Sequence, residues 1–98
     1  MGFKDIKRIA IDYLKNGAFD HEARRDVNVK NLFSTGVIDT DYVISLIAQT
    51  SGAEYQCRPH HQDNLINVHI LRPFKDDFYW YVKFYFLEPD IIFISVHK

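Results

Sequence analysis

A single cysteine, Cys57, stands in the 98-residue chain. An intramolecular disulfide is therefore excluded, and the fold must rest on its own packing. No apolar run approaches the roughly 18 residues a membrane helix requires. Lys4, Asp5, Lys7 and Arg8 also interrupt the hydrophobicity of the first segment, so neither a signal peptide nor a membrane span is expected, and a cytoplasmic location is. The four glycines are dispersed and form no phosphate-cradling loop. Charge of neither sign dominates: 12 Lys and Arg face 13 Asp and Glu, a formal net charge of −1. That balance argues against strong nonspecific binding to a polyanion, whose affinity scales with the phosphates neutralised. The basic residues lean towards the N-terminus, with seven against five acids in residues 1–30 and five against eight in residues 31–98. Any nucleic-acid site must then be a local basic cluster.

Aromatic residues, by contrast, are plentiful at 15%, and most follow residue 54. The length suits one domain over 1–98, able to bury roughly 60 to 65% of its unfolded surface. From Phe3 to Asn16, Phe3, Ile6, Ile9, Ala10, Tyr13 and Leu14 recur at helical spacing, and Gly17 is placed to end the helix. Asp20 can cap a second helix with Ala23 and Val27 on one face and Arg24, Arg25 and Lys30 in solvent. After Ser34-Thr35-Gly36, Asp39 or Thr40 can cap a third, whose Val43, Leu46 and Ile47 face the core and which ends at Ser51-Gly52. Beyond it the period changes to two. Strands are predicted near residues 54–58, 65–72, 78–87 and 91–97, joined by turns short enough for antiparallel neighbours. The expected class is α+β, with N-terminal helices packed on a C-terminal four-stranded antiparallel sheet.

Alternation assigns the faces of that sheet. Phe78, Trp80, Val82, Phe84 and Phe86 point inward, as do Tyr55, Cys57, Ile66, Val68, Ile70, Ile92, Ile94 and Val96. The outer surface then gathers His69, Tyr81, Lys83, Ser95 and His97, with Gln56 and Arg58 at its margin, provided that no strand slips by a residue. Rings there can stack bases, cations can hold phosphate, and His or Tyr can move a proton, which are the ingredients for handling single-stranded RNA. His60-His61 with Asp63 reads as a turn and not a metal site, because adjacent side chains diverge. Cys57 reads as a buried, inert thiol. No cofactor is implied.

The stretch from Tyr55 to Lys98, with Leu71-Arg72-Pro73, Tyr81-Val82-Lys83 and the terminal Ile92-Phe93-Ile94-Ser95-Val96-His97-Lys98, resembles the MqsR-type toxins of bacterial toxin–antitoxin pairs, within the RelE-like group of messenger-RNA endonucleases. The resemblance covers close to half the chain. It implies a RelE-like fold and a metal-independent ribonuclease that cuts mRNA and is silenced by a cognate antitoxin protein. It also implies an active site containing a third-strand tyrosine, here Tyr81, and a basic residue ending the last strand, here His97, or Lys98 if the end shifts by one. The family's second-strand glutamine falls near Asn67 to His69. Its first-strand lysine falls at Gln56, where this chain departs from the pattern and Arg58 can substitute.

Cleavage without a metal uses the RNA's own 2′-hydroxyl as nucleophile, which needs a base, an acid and cations around the phosphorane. The expected assignment gives His97 and His69 the proton transfers, Arg58, Arg72 and Lys83 the phosphate, and Tyr81 orientation or stacking. Two competing readings use the same face: a non-catalytic module that binds a protein or RNA partner through its tyrosines, and a toxin-fold relative that binds RNA without cutting it.

Overall fold

The computed structural model of the protein describes residues 2–23 and 30–98. Helix α1 (Phe3–Lys15) buries Ile6, Ala10 and Leu14, a four-residue repeat that stacks side chains on one helix face. It ends where expected. Gly17 has φ of +72°, a left-handed conformation in which a Cβ is costly. Around it, the Ala18 N–H donates to Tyr13 O at 2.8 Å and the Gly17 N–H to Leu14 O at 3.2 Å, the paired bonds of a Schellman turn. Helix α2 (Thr40–Gln49) begins where Asp39 Oδ1 accepts from the Tyr42 N–H at 2.9 Å, and it buries Val43, Leu46 and Ile47 as its pattern predicts. Lys7 of α1 donates to the carbonyls of Ala48 at 2.7 Å and Thr50 at 2.8 Å. A cation thus closes the negative end of α2 and fixes one helix against the other.

Strands β1 (Phe19–His21), β2 (Tyr55–Pro59), β3 (Asn67–Leu71), β4 (Phe74–Lys75), β5 (Phe78–Tyr79), β6 (Tyr81–Leu87) and β7 (Asp90–His97) follow in chain order. Five of them form one sheet in the order β1-β7-β6-β3-β2, and β4 pairs with β5 as a separate hairpin. The class is α+β, but the sheet is mixed and five-stranded where four antiparallel strands were expected. The addition is β1, which runs parallel to β7 with Phe19 opposite Ile91 and His21 opposite Phe93. Asp20, expected to cap a helix, lies inside that strand; Arg24, Arg25 and Val27 of the same expected helix lie outside the described residues. The predicted strand over 78–87 is broken at Trp80. Its N–H donates to Pro73 O at 2.8 Å and its indole N–H to Lys75 O at 3.2 Å, so the buried ring also anchors the β4–β5 hairpin. Asp76 and Asp77, with φ of 53° and 67°, supply the two left-handed residues that a tight type I′ hairpin needs.

The main core lies between the helices and the inner face of the sheet, where Leu71, Val82, Phe84, Ile91, Phe93 and Val96 meet Leu14, Leu46 and Ile47. Each of the larger side chains contributes about 1.5–3 kcal/mol by leaving water. A smaller apolar cluster of Val68, Ile70 and Ile94 occupies the outer face, against Tyr81 and Tyr85. Two predicted orientations are therefore reversed. In β3, His69 and Leu71 face inward and Val68 and Ile70 outward, because β3 is buried on both sides and its alternation does not choose between them. In β7, Ile91 and Phe93 are the core residues and Ile92 and Ile94 are not. Between Phe93, opposite Phe84, and Ser95, opposite Lys83, the strand carries one extra residue, Ile94. This bulge shifts the alternation by one, so Val96 returns to the core and Ser95 and His97 reach the outer face as predicted.

Candidate functional site

Register across the outer face is continuous. Gln56 of β2 lies opposite Ile70 of β3, Ile70 opposite Lys83 of β6, and Lys83 opposite Ser95 of β7. One step along β6, Tyr81 lies opposite His97, and their rings stack with centroids 5.2 Å apart and planes inclined by 21°. From the other side of β6, the Arg72 guanidinium sits 5.2 Å from the centre of the same tyrosine ring. Tyr81 is thereby flanked by an imidazole from one neighbouring strand and a cation from the end of the other. Contacts of both kinds are favourable and hold the ring in place.

An open groove of about 490 Å³ runs beside this group, lined by Gln56, Arg58, Ile70, Arg72, Tyr79 and Tyr81, with Glu54 on its wall. Arg58 and Arg72 are exposed there. His97 Nδ1 lies 2.9 Å from Lys98 O. That main-chain oxygen can only accept, so Nδ1 donates to it and Nε2 is the ring nitrogen left to face a ligand. Lys98 turns away from the groove: its ammonium sits 4.4 Å from the Phe78 ring centre and 5.8 Å from that of Trp80. Of the residues expected on this surface, Gln56, Arg58, Arg72, Tyr81, Lys83 and His97 share the face, and Lys98 lies at its rim.

His69 does not join them. It is buried beneath the helices, with its ring near Phe84 and Phe86 and its Nδ1 2.8 Å from the Tyr55 hydroxyl. Burial pulls its pKa from the ordinary 6.5 down to about 4, and burial, followed by the neighbouring Cys57, pushes the Tyr55 phenol up to about 12. Two neutral groups thus satisfy each other, on the opposite side of the sheet from His97. Cys57 shares that inner side, but at the open edge of the sheet, where α1 does not cover it; the thiol is exposed, not buried as predicted.

Further along the outer face lies a group that the sequence did not suggest. His60 is buried, with Nε2 at 3.2 Å from Glu22 Oε2 and Nδ1 accepting the Gln62 N–H at 3.0 Å. The Tyr85 hydroxyl donates to the same Glu22 oxygen at 2.9 Å. The His60-His61 pair lies in a loop, as read, but its side chains do not diverge: the two rings are stacked. Among the described residues no group of three or more His, Cys, Asp or Glu side chains is arranged to hold a metal ion. Nothing local pointed to Glu22, which is brought to His60 and Tyr85 by the unpredicted strand β1. Among the described residues no helix is long and apolar enough to cross a membrane. No protein-family model matches the chain, and no curated protein matches it in sequence.

Proposed function

We propose that the protein is an MqsR-like toxin of the RelE-like group, an endoribonuclease that cuts single-stranded mRNA, inhibits translation and is held silent by a cognate antitoxin. The observation that carries this reading is the Arg72–Tyr81–His97 stack at the mouth of a groove with a second cation, Arg58, on its wall. On this reading the four antiparallel strands are the RelE-like sheet and β1 is an addition to its β7 edge.

His97 Nε2 takes the proton of the 2′-hydroxyl as that oxygen attacks the adjacent phosphorus. Arg72 and Arg58 hold the phosphate oxygens, with Gln56 and Lys83 further along the strand path. As the bond from phosphorus to the 5′-oxygen breaks, the Tyr81 hydroxyl gives its proton to the leaving oxygen and recovers one from the His97 imidazolium. The products are a 2′,3′-cyclic phosphate and a 5′-hydroxyl. The second proton transfer, expected of His69, passes to Tyr81 because His69 lies across the sheet. A positioned acid or base contributes about 10²- to 10⁴-fold.

The test is cleavage of a single-stranded RNA by the purified protein, alongside the same RNA with 2′-deoxy sugars. Cyclic-phosphate ends from the first and none from the second, with cleavage lost in His97→Ala, support the proposal. Cleavage that persists in both His97→Ala and Tyr81→Ala, or harmless high-level expression in a bacterial host, refutes it. A second reading, a binding module without catalysis, is favoured by Glu54 on the groove wall and by the net charge of −1. Its signature is salt-dependent binding with no cyclic-phosphate product.

A further inference from the structure

The outer face continues past the Tyr81 groove. A narrow cleft of about 90 Å³ shares Arg58 and Ile70 with that groove and is closed by Pro59, His60, His61 and Lys83. The two hollows are stations on one path along β6. At the far station the His60 and His61 rings lie nearly parallel, with planes 12° apart and centroids 4.9 Å apart. His60 cannot swing. Both of its ring nitrogens are engaged, by Glu22 and by the Gln62 N–H, and the Tyr85 ring packs edge-on to it at 5.3 Å. His61, resting on this fixed base, is exposed.

An exposed ring backed by an immobile one, beside an arginine and a lysine, has the chemistry of a base-stacking platform: the ring accepts a nucleobase and the cations accept its phosphate. We infer that the His60–His61 pair forms a second nucleotide subsite, which stacks a base of the single-stranded RNA whose neighbouring nucleotide is held at Tyr81. The inference rests on the proposed RNA-handling role and deepens it. Tyr81 and Tyr85 are four residues apart on one strand, about 13 Å, so a ligand that engages both stations is at least a dinucleotide. His61 supplies the stacking surface and His60 positions it. Arg58, common to both hollows, bridges the phosphates between them. Stacking tolerates any base, so this station adds affinity and directs the strand along β6 without imposing a sequence.

The experiment measures binding of a 2′-deoxy oligoadenylate hexamer and of the dinucleotide by fluorescence anisotropy, with wild type, His61→Ala, His61→Phe and Tyr81→Ala; the 2′-deoxy sugar prevents cleavage. Loss of one base–aromatic contact weakens binding by about fivefold to a hundredfold. The expected result is a loss of that size for the hexamer in His61→Ala, a much smaller loss in His61→Phe, which keeps a ring, and insensitivity of the His61→Ala deficit to salt. Tyr81→Ala weakens both ligands. Hexamer binding that falls in Tyr81→Ala and is unchanged in His61→Ala overturns the platform while leaving the proposed function intact. Equal losses in His61→Ala and His61→Phe also overturn it, since a stacking role survives that exchange. Failure of the wild type to bind either this hexamer or a 2′-O-methyl RNA hexamer at low salt overturns both readings and leaves the face to a protein partner.

Discussion

The pairing of His69 with Tyr55 makes the stability of the protein depend on pH in a way that can be calculated and removed. His69 is kept neutral in the fold, with a pKa of about 4 against 6.5 in the unfolded chain. Between those values the unfolded chain binds the extra proton, so stability is fully present above pH 6.5 and falls as pH drops through about 4. The full difference corresponds to about 3 kcal/mol, of which about 2 kcal/mol is lost between pH 7 and pH 5. The perturbation is the double variant Tyr55→Phe/His69→Leu, which removes both polar partners together and strands neither, and such paired replacements are close to neutral. Urea unfolding of wild type and variant at pH 7 and pH 5 gives the four required midpoints. At pH 7 the two proteins should be of similar stability. At pH 5 the variant should be the more stable by about 2 kcal/mol, because the titration that penalises the wild type is absent. If both lose the same stability between the two pH values, His69 is not held neutral in the fold and the account of its environment fails. Because the pair lies across the sheet from His97, the variant should also cleave RNA at the wild-type rate under the proposed function.

Other consequences can be checked as directly. His97→Ala should lower the rate of RNA cleavage by about 10²- to 10⁴-fold with little change in the urea midpoint, since His97 is half-exposed at the strand end. Lys7→Ala removes both bonds to the end of α2 and should cost about 1–2 kcal/mol, read as a lower urea midpoint with an unchanged slope. Cys57 should react with a thiol reagent in the folded protein, giving one titrated thiol without denaturant, because it is exposed at the sheet edge; reaction only after unfolding would contradict that placement.

How far the fold could be read from the residues depended on contrast. In α1 the apolar positions stand against charged ones, in α2 Val43, Leu46 and Ile47 stand against Asp41, Ser45 and Gln49, and the stops at Gly17 and near Ser51 followed from local chemistry. In β6, Val82, Phe84 and Phe86 alternate with Tyr81, Lys83 and Tyr85, so the side was unambiguous and the placement of Tyr81 and Lys83 held. In β3, Val68 and Ile70 compete with Leu71, and the polar His69 suggested the solvent side although the half-buried Tyr55 phenol satisfies it there. Four consecutive apolar residues, Ile91 to Ile94, carry no alternation from which a bulge could be seen. β1 is three residues long, too short for any period. With it went the approach of Glu22 to His60 and Tyr85, partners 38 and 63 residues away, which no local pattern encodes.

The extra residue in β7 gives that strand slack. If Ile94 were deleted, Phe93 would still face Phe84, Ser95 would still face Lys83 and His97 would still face Tyr81, with the outer contacts to Val68 and Ile70 as the main loss. Deleting Ile92 would also leave Ser95 to His97 in step, but it would draw Ile94 into the place of Phe93 beneath the helices. The half of β7 that packs the core and the half that carries His97 can therefore change length independently by one residue. A shortened descendant of this chain could keep its histidine beside Tyr81 while its interior is rebuilt.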